Sequence, residues 1–353
     1  MARRKLSYMI TAHELPLSIV DHIFFRRFVA ALQPRFKYVS RNTIKKDIMG
    51  IYRNEKSKTM KLLEVNQSRI AITTDMWTSN NQKRGFMVIT THYIDNSWML
   101  QNRIISFQYV PCPHTSEVLA KTLLDCLMDW NIDRKLSTIT VDNCSTNDAM
   151  VNVLLGKISD DSLWVEGTLI HMRCCAHILN LIVKDGLEVI VDGIKRVRDS
   201  VAFWTTTPKR EKKFEETAKQ LKIVFSKKLN LDCKTRWNST YLMLHVALYY
   251  KDVFSRLKQR DSQYKCSPLE EDWEMAEEIS SRLMLFYEIT ELFSGNKYPI
   301  ANILFSKICE IKIALMAWLT CGNVVIETIA EKMLDKCLIN LTSIGVRLMA
   351  LWL

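Results

Sequence analysis

The chain has 353 residues, 48% of them hydrophobic and 25% charged, with only 9 glycines and 7 prolines. That composition excludes a mostly disordered chain, which could not bury enough apolar surface to offset its ordering entropy, and it excludes Gly-rich and collagen-like repeats. The length suits one large domain or two to three ordinary ones. No apolar run reaches the roughly 18 residues that span a bilayer, so a soluble protein with no membrane partner is expected.

The net charge is +11, and residues 1–64 hold 14 Lys and Arg against 5 Asp and Glu, so nearly all of the excess lies there. A basic flank on a near-neutral body suits a polyanion, most simply nucleic acid; a solvated basic face reads the same way. The ten cysteines form no Cys-x-x-Cys pair and no repeated spacing. They read as reduced, mostly buried thiols, with no zinc-finger framework.

In chain order, residues 15–32 read as one amphipathic helix. Ser18 is its N-cap, and Val20, Ile23, Phe24 and Phe28 share a face. Residues 43–63 read as a strongly basic helix with Ile44, Ile48 and Ile51 inside and Arg53, Lys56, Lys58 and Lys61 outside, as a phosphate-facing helix would be. The period then changes. Residues 69–77, 86–94 and 99–110 are rich in β-branched and aromatic side chains and are joined by turn-forming sequence at 80–85 and 95–96. They predict an antiparallel meander. A helix over 115–130, a buried strand over 136–142, a helix over 146–158, a strand over 169–175 and a helix from about His177 follow. One stripe, Leu179, Val183, Ile190, Ile194 and Val197, marks the last helix.

The order β-β-β-α-β-α-β-α predicts an α/β fold with a ribonuclease H-like core. No strand is evident after about residue 200, where sequence such as 276–293 is amphipathic and helical. The expected division is a basic helical region over 1–64, the core over 65–199 and a helical insertion over 200–353.

Asp75 and Asp142 close the first and fourth strands. Ligands collect at the C-terminal strand ends of sheets with parallel strands. If those strands are neighbours, the carboxylates face one gap and attract Mg2+ or Mn2+, which activate a nucleophile for phosphodiester attack. By pattern alone each aspartate is more simply read as an ordinary turn-former at a strand end. Cys174 and His177, at i and i+3, are half a zinc site at most, and no second pair completes it, so no structural zinc is expected. Trp237, taken alone, reads as a core aromatic.

Four segments now coincide. T-D-M-W-T-S at 74–79, V-D-N-C-S-T-N-D at 141–148, R-C-C-A-H-I-L-N-L-I-V at 173–183 and T-R-W-N-S-T-Y at 235–241 resemble, in order and spacing, the hAT family of transposases. The likeness is to the plant domesticated "sleeper" type with an N-terminal BED zinc finger. The resemblance implies that Asp75 and Asp142 are the first two members of an Asp-Asp-Glu metal-binding triad. It implies that Cys174 and His177 form the Cys-x-x-His motif beside the active site. It also implies that Trp237, with Arg236, meets DNA in the helical insertion, the tryptophan by stacking on a flipped base.

The chain departs from the family in three places. No BED-finger ligands precede the first helix, Glu310, Glu327 and Glu331 stand in no context like that of the third acid, and the sequence drifts beyond about 337. A chain truncated at both ends is therefore expected, with vestigial acids, weak Mg2+ or Mn2+ binding and no strand transfer by itself. The first functional expectation is a transposase-derived DNA-binding protein of the nucleus, to which the basic stretch at 209–213 adds a weak signal. The second is a Mg2+-dependent transposase or nuclease completed by a partner or longer isoform. The third is a module pairing with itself or with full-length relatives through Ile303, Leu304, Leu315, Trp318, Leu348, Leu351 and Trp352.

Overall fold

Three helices, α1 (Ala2–Ala12), α2 (Ile23–Leu32) and α3 (Arg41–Val65), precede a five-stranded sheet: β1 (Ile70–Thr78), β2 (Gly85–Ile94), β3 (Leu100–Val110), β4 (Leu136–Val141) and β5 (His171–Arg173). The structure, a computed structural model, describes all residues except 80–82, 160–162, 164–166, 225, 234, 296–297, 299–300 and 353. Side chains at 301 and 339–352 also lie outside the description. The turn expected over 80–85 thus falls partly outside the described residues.

The single helix expected over 15–32 is two pieces. A 3-10 turn, Leu17–Asp21, is separated from α2 by His22, which is extended at φ −68° and ψ 127°. Ser18 caps nothing, because the helix proper begins at Ile23. Only Val20 of the expected apolar face is buried; Phe24 and Phe28 are 66% and 61% exposed. Apolar spacing forms a face, but a partner must cover it. Of that face, Val20 joins Leu6, Ile10 and Ile44 in a small N-terminal core of the described residues, with Phe25 of α2 packed partly against it. Leu6 and Ile10 come from α1, which the sequence reading missed. α3 starts where Ser40 Oγ accepts from the Thr43 amide at 3.3 Å, an ordinary N-cap.

The sheet order is β3-β2-β1-β4-β5. β1–β2 and β2–β3 pair antiparallel; β1–β4 and β4–β5 pair parallel. The parallel crossovers run through α4 (Ser116–Asp129) and α5 (Ser145–Leu155), and Thr115 caps α4. Strict alternation in β2, whose odd-numbered residues are buried, points one sheet face at these helices. There Ile70, Ile72, Met87, Ile89 and Ile139 pack with Leu119, Leu123, Leu127, Met150 and Leu154. Side chains on that face decide the strand register, since a one-residue slip would turn them all outward.

Beyond the sheet the regular elements among the described residues are all helices: α6 (Cys175–Leu187), α7 (Val191–Thr205), α8 (Pro208–Gln220), α9 (Trp237–Tyr249), α10 (Lys251–Arg260), α11 (Glu270–Phe293), α12 (Ala301–Trp318) and α13 (Val324–Trp352). The continuous stripe expected from His177 onward is broken by a 3-10 turn at Glu188–Ile190, so Ile194 and Val197 belong to α7. The break lets α6 lie against α13 while α7 packs on α8, α9 and α11. At Gly186 an added Cβ would stand 2.7 Å from Met333, so the α6–α13 approach depends on the missing side chain.

Buried side chains from Ile178 to Cys337 form one helical core, separate from the sheet core, which ends at Ile170. Leu304, Leu315 and Trp318, offered above as an apolar pairing surface, are 3%, 0% and 7% exposed. That expectation is corrected: they are core residues. Leu348, Leu351 and Trp352 lie outside the described side chains. No described helix is long and apolar enough to cross a membrane.

Candidate active-site cleft

β1 and β4 are neighbours, with Ile72 opposite Ile139 and Thr73 opposite Thr140. Two residues further along both strands, the same register brings Asp75 level with Asp142. Both are exposed. They line one cleft of about 420 Å³ together with Trp77, His114, Asn143 and His177.

Each acid is placed by its backbone. Asp75 is held within the β1–β2 ladder opposite Val88, whose carbonyl also accepts from Thr74 Oγ1 at 2.8 Å. Asp142 sits where β4 turns into α5. Its carbonyl accepts from the Cys144 amide at 3.0 Å and from Asn147 Nδ2 at 2.9 Å, which fixes the turn. His177 stands in the first turn of α6, its Nδ1 3.4 Å from Asp142 Oδ2.

Cys174, the N-cap residue of α6, donates its amide to the Val141 carbonyl at 2.9 Å. Burial pushes its thiol up from the usual range, and the Asp142 carboxylate adds to the rise. The pair Cys174 and His177 thus turns toward Asp142. Among the described residues no group of three or more His, Cys, Asp or Glu is assembled to hold an ion. Two exposed carboxylates in register suit a hard divalent ion shared with a phosphate, which keeps most of its shell from water and substrate. They do not form a cage made of protein alone.

The other sequence-singled residues lie elsewhere. Lys56 is engaged: it pairs with Asp129 and stands 5.0 Å over the Trp130 ring, so it docks α3 on the end of α4. Lys58 pairs with Glu55 at 2.8 Å across one helical turn. Arg53 and Lys61 are exposed on α3, and Arg236 is exposed at the start of α9. Trp237 is 2% exposed, in the helical core beside Tyr241. No face of its ring is open to a base in this conformation, because packing in the insertion takes it up.

One contact ties two motifs together. Asn180 Oδ1, one turn along α6 from His177, accepts from the Trp237 amide at 3.1 Å. The N-cap residue Arg236 gives no side-chain cap, and Asn238 Oδ1 accepts only from the Ser239 amide at 3.0 Å, so another helix supplies the acceptor for Trp237. Sequence reasoning missed Asn180, and also His114, Asn143 and Asn147. The signal for Asn143, Asn147 and Asn180 was their place inside the quoted motifs at 141–148 and 173–183; for His114 only a fold could give it.

The loop before α9 carries a contrast in thiol chemistry. The Thr235 hydroxyl holds the exposed Cys233 thiol below the usual range, with Arg236 helping, whereas burial raises Cys174 and lifts Cys175 to about 12. Limited iodoacetamide treatment of the native chain near neutral pH should therefore label Cys233 well ahead of Cys174 and Cys175, as read by peptide mass spectrometry. Labelling of Cys174 first would contradict this arrangement.

Residues 73–169 match the family model of the ZBED1 RNase-like domain, and residues 172–282 that of the ZBED1 RNase-like helical domain. The Putative AC transposase of Zea mays is 39% identical over 337 residues, which are 94% of this chain and 42% of that protein. Zinc finger BED domain-containing protein RICESLEEPER 2 of Oryza sativa subsp. japonica is 35% identical over 94% of this chain and 46% of its own length. Zinc finger BED domain-containing protein DAYSLEEPER of Arabidopsis thaliana is 32% identical over 95% and 48%. The chain spans less than half the length of each of these relatives. The boundary between the two matched regions, 169 to 172, falls at the start of β5, next to Ile170, the last residue of the sheet core. With the four sequence motifs at their places around the strand ends and the first turns of α6 and α9, the chain belongs to the hAT transposase family, among its plant sleeper-type members.

Proposed function

We propose that this chain is a transposase-derived DNA-binding protein of the nucleus, with no strand-transfer activity of its own. Its sheet, ordered 3-2-1-4-5 with acids at neighbouring parallel strand ends, supports a ribonuclease H-like core. The observation that carries the reading is the pair Asp75 and Asp142 level on β1 and β4, an arrangement suited to phosphate chemistry, without a third acid grouped beside it among the described residues. Domains follow the cores: the basic helices, then the sheet with α4 and α5, then the helical insertion.

Asp75 and Asp142 would hold a Mg2+ or Mn2+ ion together with a DNA phosphate. That ion, when bound, neutralises phosphate charge and activates the attacking oxygen. The chain's own part is to hold the two carboxylates at one level and to orient Asp142 through Cys144, Asn147 and His177. With only two acids the ion's position is loosely fixed, and such sites need placement within about 0.5 Å. Binding should be weak and turnover absent.

DNA is held mainly through phosphates, by Arg53 and Lys61 on α3 and by Arg236. The purified chain should retard duplex DNA at low ionic strength, with affinity falling linearly on a log–log plot against salt. Absence of retardation even at about 50 mM salt would refute the reading. A second reading keeps the same acids as a working metal-dependent nuclease completed by an acid from another chain or a longer isoform. The paired strand ends suit it too, and Mn2+-dependent nicking of DNA that appears when a C-terminal fragment of a longer relative is added in trans, and that Asp75→Ala abolishes, would decide for it.

A further inference from the structure

We propose that the groove between α1 and α3 is a second seat for a nucleic-acid phosphate backbone, separate from the strand-end cleft; the proposal rests on the DNA-binding reading above. The groove encloses about 470 Å³ and presents Arg3, Arg4 and Lys46 against a single acid, Asp47. Asp47 is already paired with Arg3 at 2.7 Å, so Arg4 and Lys46 supply the groove's excess charge. Arg4 is braced by Tyr8, its guanidinium 5.7 Å over the ring and donating to the hydroxyl at 3.3 Å.

Gly50, an exposed residue of the groove lining, is the telling one. α3 runs for 25 residues, and Gly50 lies well inside it. A glycine there is less favourable than alanine, because it loses more backbone freedom on folding. Close packing does not account for it: a Cβ added at Gly50 would meet nothing within 4 Å. No neighbour among the described residues therefore uses the missing side chain. The bare backbone leaves room for something approaching from outside.

Lys46, Gly50 and Asn54 follow one another at four-residue steps, so they form one stripe along α3 with a cation at one end, a gap in the middle and an amide donor at the other. A phosphodiester fits that sequence of groups: the cations take its charge, the gap admits its bulk, and the amide donates to a free oxygen. A membrane surface fits less well, since the lining has one apolar side chain, Ile51.

Two variants of the full chain test this. Arg4→Ala with Lys46→Ala removes exposed charge without touching a core residue. It should lower duplex-DNA affinity about tenfold near 50 mM salt and reduce the slope of log K against log salt by about two. Gly50→Gln fills the gap with a neutral, strongly helix-forming side chain. It should melt at or above the parent's temperature and bind DNA about three- to tenfold more weakly. If Gly50→Gln melts lower, the charge variant alone decides. If the parent binds DNA and the charge variant keeps its affinity and slope, the groove proposal fails while the functional reading stands. If the parent itself binds no DNA, the functional reading fails and takes the groove with it. Vesicles containing about one-third phosphatidylserine form the other arm. Variants that lose vesicle binding yet hold DNA like the parent overturn the proposal in favour of a membrane.

Discussion

Arg198→Met is expected to cost the helical core about 3–5 kcal/mol, the usual loss when one partner of a buried ion pair is removed. Asp232 has a fully buried side chain, and Arg198 meets it with two hydrogen bonds, at 2.7 and 2.6 Å, while Thr240 adds a third at 2.6 Å. Without the guanidinium the carboxylate stays buried with one hydroxyl for company. Asp232→Asn should cost less, since Arg198 retains 19% exposure and can reach water. Arg198→Met combined with Asp232→Leu should recover much of the loss, because no charge is then left buried. Urea denaturation followed by far-ultraviolet circular dichroism checks this order.

The same pair fixes a pH dependence. Burial works to raise the Asp232 carboxyl, but Arg198 and Thr240 override it and hold the group below the ordinary carboxylate range. Its folded value is thus depressed relative to an unfolded value of about 3.9. The pair's contribution is fully present above that unfolded value and is lost as pH falls through the folded one. The parent should lose this stability in acid below about pH 4, and Arg198→Met should lack that part of the acid loss.

Trp237→Ala is the second large effect. The ring is 2% exposed in the helical core, and truncating a buried Trp costs about 3–5 kcal/mol. Trp237→Phe keeps an aromatic body and should cost considerably less. Once folded, the Phe variant should bind DNA like the parent, measured at a temperature where both are native. A base-stacking platform behaves in the opposite way: truncation would leave melting unchanged and remove the roughly 1–3 kcal/mol of binding that stacking supplies. Melting and gel retardation on the two variants therefore separate the roles without ambiguity.

The strands were legible because period-two alternation and β-branched content leave few other readings, and β1, β2 and β3 lie within a residue or so of their expected bounds. The level placement of Asp75 and Asp142 followed from strand order, since the fourth strand returns parallel beside the first. What sequence could not supply was burial. The spacing of Ile23, Phe24 and Phe28 is the same whether or not a partner covers them, and here none of α2 is buried. A lysine on a polar face looks solvated until a distant acid is brought to it, as Asp129 is to Lys56. Trp237 shows the same limit from the other side: the motif marks its place in the chain, and only the packing of α6, α7, α9 and α11 shows which way its ring faces.

The Asn180 bond to the start of α9 has a mechanical consequence. One helix, α6, reaches the acid pair through His177 and grips the insertion through Asn180 a single turn later. Because α6 carries both side chains, a shift of α6 large enough to break the Asn180 bond would also move His177 relative to Asp142.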